Sequence, residues 1–205
     1  MILHSGEWRE LKLKEQKWKK LFFLLLVINI MVIAVLLAVV NSPVEDDHYS
    51  PQNIDLNAHV PFRIQTDKAD LNQVINHYLD KEGLTGPIDY QIFLDNEVEL
   101  YGSVPVFSQE IQMKLTFEPI ALDNGDILLQ QKSISVGQLQ LPVSYVLKFV
   151  KEKYKVPNWV TIQPNEERIY VSLQTMKLKS DIHVKVDEFD LKNDDIRFTL
   201  LVPIK

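Results

Sequence analysis

Residues 21 to 40 read LFFLLLVINIMVIAVLLAVV, twenty positions without a charged side chain and with Asn29 as the lone polar one. A helix of about twenty residues at 1.5 Å rise spans ~30 Å, the thickness of the hydrocarbon core of a bilayer. A core helix of a soluble domain seldom stays apolar on every side for so many turns. A cleavable signal has an apolar region of about 7 to 15 residues closed by a small-x-small site. Here the run is longer and passes through Ala38-Val39-Val40 into Asn41-Ser42-Pro43 without such a site. A retained transmembrane helix is therefore expected. Arg9, Lys12, Lys14, Lys17, Lys19 and Lys20 precede it, and Glu45, Asp46 and Asp47 follow it. That asymmetry predicts a cytoplasmic N-terminus and a C-terminal part outside the cytoplasmic membrane. Trp8 and Trp18 suit the headgroup region on the basic side, and Asn29 has an amide available to a partner helix.

The whole chain has 205 residues, 46% of them hydrophobic, enough for one domain with a proper core or two small ones. The absence of cysteine excludes disulfide staples, thiolate metal sites and a cysteine nucleophile. The net charge is -6, and because the first twenty residues are basic the remainder is strongly acidic. An acidic exposed domain argues against nucleic acid as a partner.

Residues 41 to 61, with Pro43, Pro51 and Pro61, are expected to form an extracytoplasmic tether, and residues 62 to 205 one α+β domain. Thr66 or Asp67 caps an amphipathic helix carrying Leu71, Val74, Ile75, Tyr78 and Leu79, closed by Gly83 and Gly86-Pro87. From Ile88 the apolar period becomes two, with turns at Asp95-Asn96 and Asn124-Gly125 and a strand break expected at Pro119. Ile134 and Val136 share one parity and Leu139 and Leu141 the other, so Gly137 between them marks a β-bulge or sharp bend. Pro142 starts a second helix with Val143, Val146, Leu147, Val150 and Tyr154 on one face, and Pro157 stops it. Strands through Ile162, Ile169, Val184 and Phe198 complete the chain. The predicted fold is a curved antiparallel sheet packed with two amphipathic helices, behind one transmembrane helix.

This order of elements, with the helix DLNQVINHYL and the stretch VGQLQLPVSYVLKFV running a strand into a proline-started helix, resembles the YpmS-like family of single-pass membrane proteins of Gram-positive bacteria. The segment ISVGQLQLP with its helix, and the strand KNDDIRFTL, is also similar to the tubular lipid-binding architecture. That second resemblance implies a helix in the concavity of a curved sheet with an acyl chain between them. Neither carries a catalytic residue onto this chain.

Chemistry-bearing motifs are scarce. His48, His59, His77 and His183 follow the span without HExxH, HxH or His-x3-His spacing, so no metal site is expected. No GxSxG, GxxxxGK[ST] or GxGxxG is present, and the acid pairs Asp46-Asp47, Glu166-Glu167 and Asp194-Asp195 read as solvated turns. The chain is therefore expected to be no enzyme and to need no cofactor. A groove for a lipid or lipid-linked envelope molecule is expected along Ile134, Val136, Leu139, Leu141, Val146, Leu147, Val150 and Tyr154. Lys148, Lys151 and Lys155 are the candidate contacts to an anionic headgroup. The same apolar positions equally suit a filled core. A scaffold or regulator of envelope assembly that contacts a protein partner is the alternative.

Overall fold

The computed structural model describes residues 7–40, 58–81, 90–106, 109–138, 140–176, 178 and 181–204, in two compact units, residues 1–43 and 44–205. In the first unit, α1 (Glu7–Val40) is one helix that carries the basic residues and the apolar run together. Its stretch Trp18–Ala38 is 21 residues long, apolar enough to cross a membrane and exposed throughout, so α1 is a candidate membrane anchor. The Asn29 side-chain amide donates to the Leu25 carbonyl one turn back at 3.0 Å, so its own helix satisfies part of it.

The second unit holds β1 (His59–Thr66), α2 (Lys68–Lys81), β2 (Gln91–Leu94), β3 (Val98–Val106), β4 (Gln109–Ala121), β5 (Ile127–Val136), α3 (Val143–Lys153), β6 (Val160–Gln163), β7 (Arg168–Val171), β8 (His183–Asp190) and β9 (Asp195–Pro203). The strands form two antiparallel sheets where one was expected. One has six strands in the order β2-β3-β4-β5-β7-β6, the other three in the order β1-β9-β8. One tie between them is a backbone hydrogen bond: the Val186 N–H of β8 donates to the Gly125 carbonyl in the β4–β5 turn at 2.9 Å. Beside that turn Asp126 is fully buried. It accepts hydrogen bonds from the Tyr170 hydroxyl at 2.5 Å, the Asn124 amide at 2.9 Å and the Gln174 N–H at 3.3 Å. A buried carboxylate is tolerated only with such partners, so this knot fixes the turn that bridges the sheets.

Several local expectations change. β1 begins at His59, inside the segment expected to be tether. Its alternation of Val60, Phe62 and Ile64 was masked in the sequence by the neighbouring prolines. Pro119 does not break β4, which continues to Ala121. Pairing with β3 stops at Phe117, so Pro119 sits where β4 has a neighbour on one side only, a position that tolerates a missing N–H. Of the two alternatives at Gly137 the bend is what forms, and a bulge lies elsewhere on the β4–β5 pair, where the register shifts between Thr116 and Phe117 and leaves Lys132 of β5 unmatched. Gly137 instead ends β5 with φ +55°, a turn conformation that glycine adopts without a side-chain clash. The expected closing residues of the first helix, Gly83 and Gly86-Pro87, and Ile88 lie outside the described residues, as does most of the expected tether.

Helix α2 forms where its periodicity put it. Asp67 caps it, its carboxylate accepting the Asp70 N–H at 2.8 Å, and the Asp194 carboxylate accepts the Lys68 N–H at 2.8 Å. The Asn72 side chain then grips β2: it donates to the Leu94 carbonyl at 2.9 Å and accepts the Leu94 N–H at 2.8 Å. So α2 starts where β1 ends and is fastened to β2, the edge strands of the two sheets. Only Leu79 of its apolar face is fully buried. Helix α3 differs, with Val146, Leu147 and Val150 all buried. Pro142 precedes it, and Tyr154 leaves it in an extended conformation.

Candidate functional site

A cavity of about 540 Å³ lies between the inner faces of the two sheets. The six-stranded sheet contributes Leu94, Leu100, Phe117, Ile127, Leu129 and Ile169, all in the inward phase of their strands. The three-stranded sheet contributes Ile64, Thr66, Val184, Phe189, Phe198 and Leu200. Helix α2 lines it with Leu71, Val74, Ile75, Tyr78 and Leu79, and the segment after α3 with Tyr154, Lys155, Val156, Pro157 and Trp159. These faces are apolar because each was built to be covered, yet the two sheets stand too far apart for their side chains to interdigitate throughout. Thr66 and Lys155, with the tyrosine hydroxyls and the Trp159 indole, are the polar groups of the lining.

The aromatic corner is arranged so that those hydroxyls have partners elsewhere. Tyr90 and Tyr154 stack with centroids 5.3 Å apart and an interplanar angle of 14°. The Tyr90 hydroxyl donates to the Lys155 carbonyl at 3.2 Å, and the Tyr154 hydroxyl to the Ser103 carbonyl at 3.1 Å. Gly102 permits this, since a Cβ there would lie on the Tyr154 hydroxyl. Burial pushes both phenols above their ordinary pKa, and for Tyr90 the neighbouring Tyr78 and Tyr154 add to the effect. The rings thus offer neutral faces to the cavity. Trp159 and Tyr78 meet at 5.9 Å between centroids and close the same side.

The rim is apolar as well. Val74 of α2 is 62% exposed and Ile64 of β1 43% exposed, although both line the cavity. Nothing in the lining activates water or a nucleophile, and among the described residues no cluster of His, Asp and Glu could hold a metal ion. A lining of this kind is suited to shield apolar surface from water.

Of the residues expected to form the groove, the structure brings Val150 and Tyr154 to the cavity. Val136, Val146 and Leu147 are not in its lining and are buried in the packed core. Ile134 and Leu141 are half-buried against that core, and Leu139 lies outside the described residues. The physical reason is how the two helices pack: α3 buries Val146, Leu147 and Val150, whereas this cavity takes five residues of the less buried α2 in its lining. Of the three lysines, Lys155 lines the cavity, whereas Lys148 and Lys151 sit on α3 away from the lining. Sequence reasoning placed the α2 face and the alternating strand residues inward without assigning them to a cavity. Trp159, Leu173, Met176 and Phe189 were missed as lining altogether, three of them because they belong to turns or to short strand ends with no period to read.

Taken together, the chain is an α+β protein with one N-terminal candidate membrane helix and an apolar cavity between two antiparallel sheets. It belongs to the family described as "Uncharacterized protein conserved in bacteria (DUF2140)", whose profile matches residues 16–202. It is 32% identical over 187 residues, 91% of this chain and 98% of the relative, to "Uncharacterized protein YpmS" of Bacillus subtilis (strain 168). The YpmS-like family expected from the sequence is thus shown, and neither name carries a catalytic activity. No solved structure matches the chain.

Proposed function

We propose that this protein is a membrane-anchored, non-catalytic lipid-binding module of the cell envelope, which holds the acyl chain of a membrane lipid or lipid-linked envelope molecule between its two sheets. Its N-terminus lies in the cytoplasm and residues 44–205 outside, as the basic flank of the span dictates. The observation that carries the proposal is the cavity: about 540 Å³, with an apolar rim, on the same chain as a helix able to sit in a bilayer. That volume falls within the roughly 300–1,000 Å³ of small-molecule sites. Transfer of about ten methylenes into such a space releases ~8 kcal/mol, at ~0.8 kcal/mol each, before the cost of association. Lys155 at the lining is the contact to an anionic headgroup.

The test is native mass spectrometry of the full chain, released from membranes in a detergent that is stripped in the gas phase, with solvent extraction of what remains bound. The expected result is one lipid per chain. A bare mass that persists after incubation with membrane lipids refutes lipid binding and turns attention to a scaffold that acts through a protein partner.

A further inference from the structure

The apolar surface does not stop at the cavity rim. In the three-stranded sheet, Val60, Phe62 and Ile64 of β1 stand opposite Val202, Leu200 and Phe198 of β9, so all six side chains share one face. Ile64, Leu200 and Phe198 line the cavity. Val60 and Phe62 lie beyond it and are exposed, at 39% and 54%. At ~3.3 Å per residue, the strip from Ile64 to Val60 extends the apolar wall by about 13 Å. The opposite face of β1 is of another kind: His59, Pro61, Arg63 and Gln65 alternate with the apolar residues, three of the four polar. An edge strand that is polar outward needs no apolar residues on its uncovered inner face for folding, and burying them there only when a ligand is present accounts for them.

The strip also runs toward a defined end. It leads to His59, from which eighteen residues connect back to Val40 at the end of α1. Fully extended, a segment of that length reaches ~60 Å at most, and β1 is the strand of this unit that follows α1 most closely along the chain. We infer that the strip Val60–Phe62–Ile64 is the access ramp along which an acyl chain of a membrane lipid slides between the bilayer and the cavity. This rests on the lipid-binding function proposed above and assigns that function its mouth and its source of ligand.

The full chain is reconstituted in phosphatidylcholine vesicles that contain a small fraction of phosphatidylglycerol with a photoreactive acyl chain, and the appearance of crosslinks on β4, β5 and β7 is followed in time after mixing. Phe62→Asp is expected to slow their appearance roughly tenfold, because a charge in an apolar path must be desolvated as the chain passes. The final crosslink yield of protein loaded in detergent, where the ramp is bypassed, stays at the wild-type level. Ile120→Asp, which changes another exposed apolar residue, outside the strip, leaves the rate unchanged. If Phe62→Asp fails to fold, Phe62→Gln is the variant to read, with a smaller slowing in the same direction. An unchanged rate in a folded Phe62 variant overturns the ramp and leaves lipid binding standing. Absence of cavity crosslinks in the wild-type protein overturns both.

Discussion

Two substitutions to tryptophan, one into the cavity and one into the packed core, should have opposite consequences. Leu129 on β5 lines the cavity, while Val146 on α3 is 1% exposed and lies outside the lining. Val146→Trp forces a much larger side chain into a site with no free volume and is expected to cost at least about 1–3 kcal/mol, with or without lipid. Leu129→Trp directs its extra bulk into a space of about 540 Å³, so without lipid it should unfold within about 1 kcal/mol of the wild type. Lipid separates the two further. At about 100 times its Kd a bound lipid stabilises the wild-type fold by ~2.7 kcal/mol. Under the proposed function Leu129→Trp is expected to forfeit that gain, because the indole would occupy the place proposed for the acyl chain. Pulse proteolysis of the full chain across a urea series, with and without added lipid, reads the wild type and both variants. Equal destabilisation by the two variants in the absence of lipid would show that the cavity is not open. A wild-type lipid response in Leu129→Trp would place the ligand elsewhere.

The knot at Asp126 should be the most sensitive polar site: Asp126→Ala strands two buried donors, the Tyr170 hydroxyl and the Gln174 N–H, while the Asn124 amide keeps the Tyr170 oxygen, and is expected to lose about 3 kcal/mol or more, and Tyr170→Phe about 1–2 kcal/mol, both read by urea unfolding. Asn72→Ala removes both hydrogen bonds to Leu94, so it should cost about 1–3 kcal/mol and speed hydrogen exchange at the Leu94 amide while exchange in β4 changes less. Because burial raises the phenol pKa values of Tyr90 and Tyr154, the unfolded chain loses these protons first, at about pH 10, and binds fewer protons than the folded chain above that pH. Their stabilising contribution is full below pH 10 and is lost as pH rises toward the folded values. The double variant Tyr90→Phe/Tyr154→Phe should therefore show a shallower loss of stability on the alkaline side, and an equal slope in variant and wild type would refute it.

Much of this molecule is written locally. The apolar run of α1, the Asp67 cap of α2, the turns at Asp95-Asn96 and Asn124-Gly125 and the proline before α3 each act through neighbours within a few residues, so single-sequence reasoning reaches them. The division into two sheets depends on long-range pairing, β1 with β9 across most of the domain, and no local signal announces it. The cavity was illegible for a different reason. A residue such as Leu129 or Ile169 has the same alternation whether its side chain meets a partner or empty space, so periodicity says which way it faces and is silent on what it faces. That is why the groove was placed along α3, whose apolar face is the denser one, when the cavity takes five lining residues from the less buried α2. Lys132 repeats the lesson on a smaller scale: a bulge moved a register without leaving a glycine to mark it.

The amide of Asn72 has a further meaning for a chain that carries a candidate membrane anchor. Copies anchored in one plane meet at high local concentration and with restricted orientation, conditions under which bare strand edges zip together between molecules. On β2, the Leu94 N–H and carbonyl that would receive a strand from a sibling are already taken by a side chain that imitates a peptide group. On β1, Pro61 offers no N–H to a newcomer. At Leu94 of β2 and at Pro61 of β1 a strand from a neighbouring copy is thus denied a backbone partner, which opposes edge-to-edge pairing at these two strands.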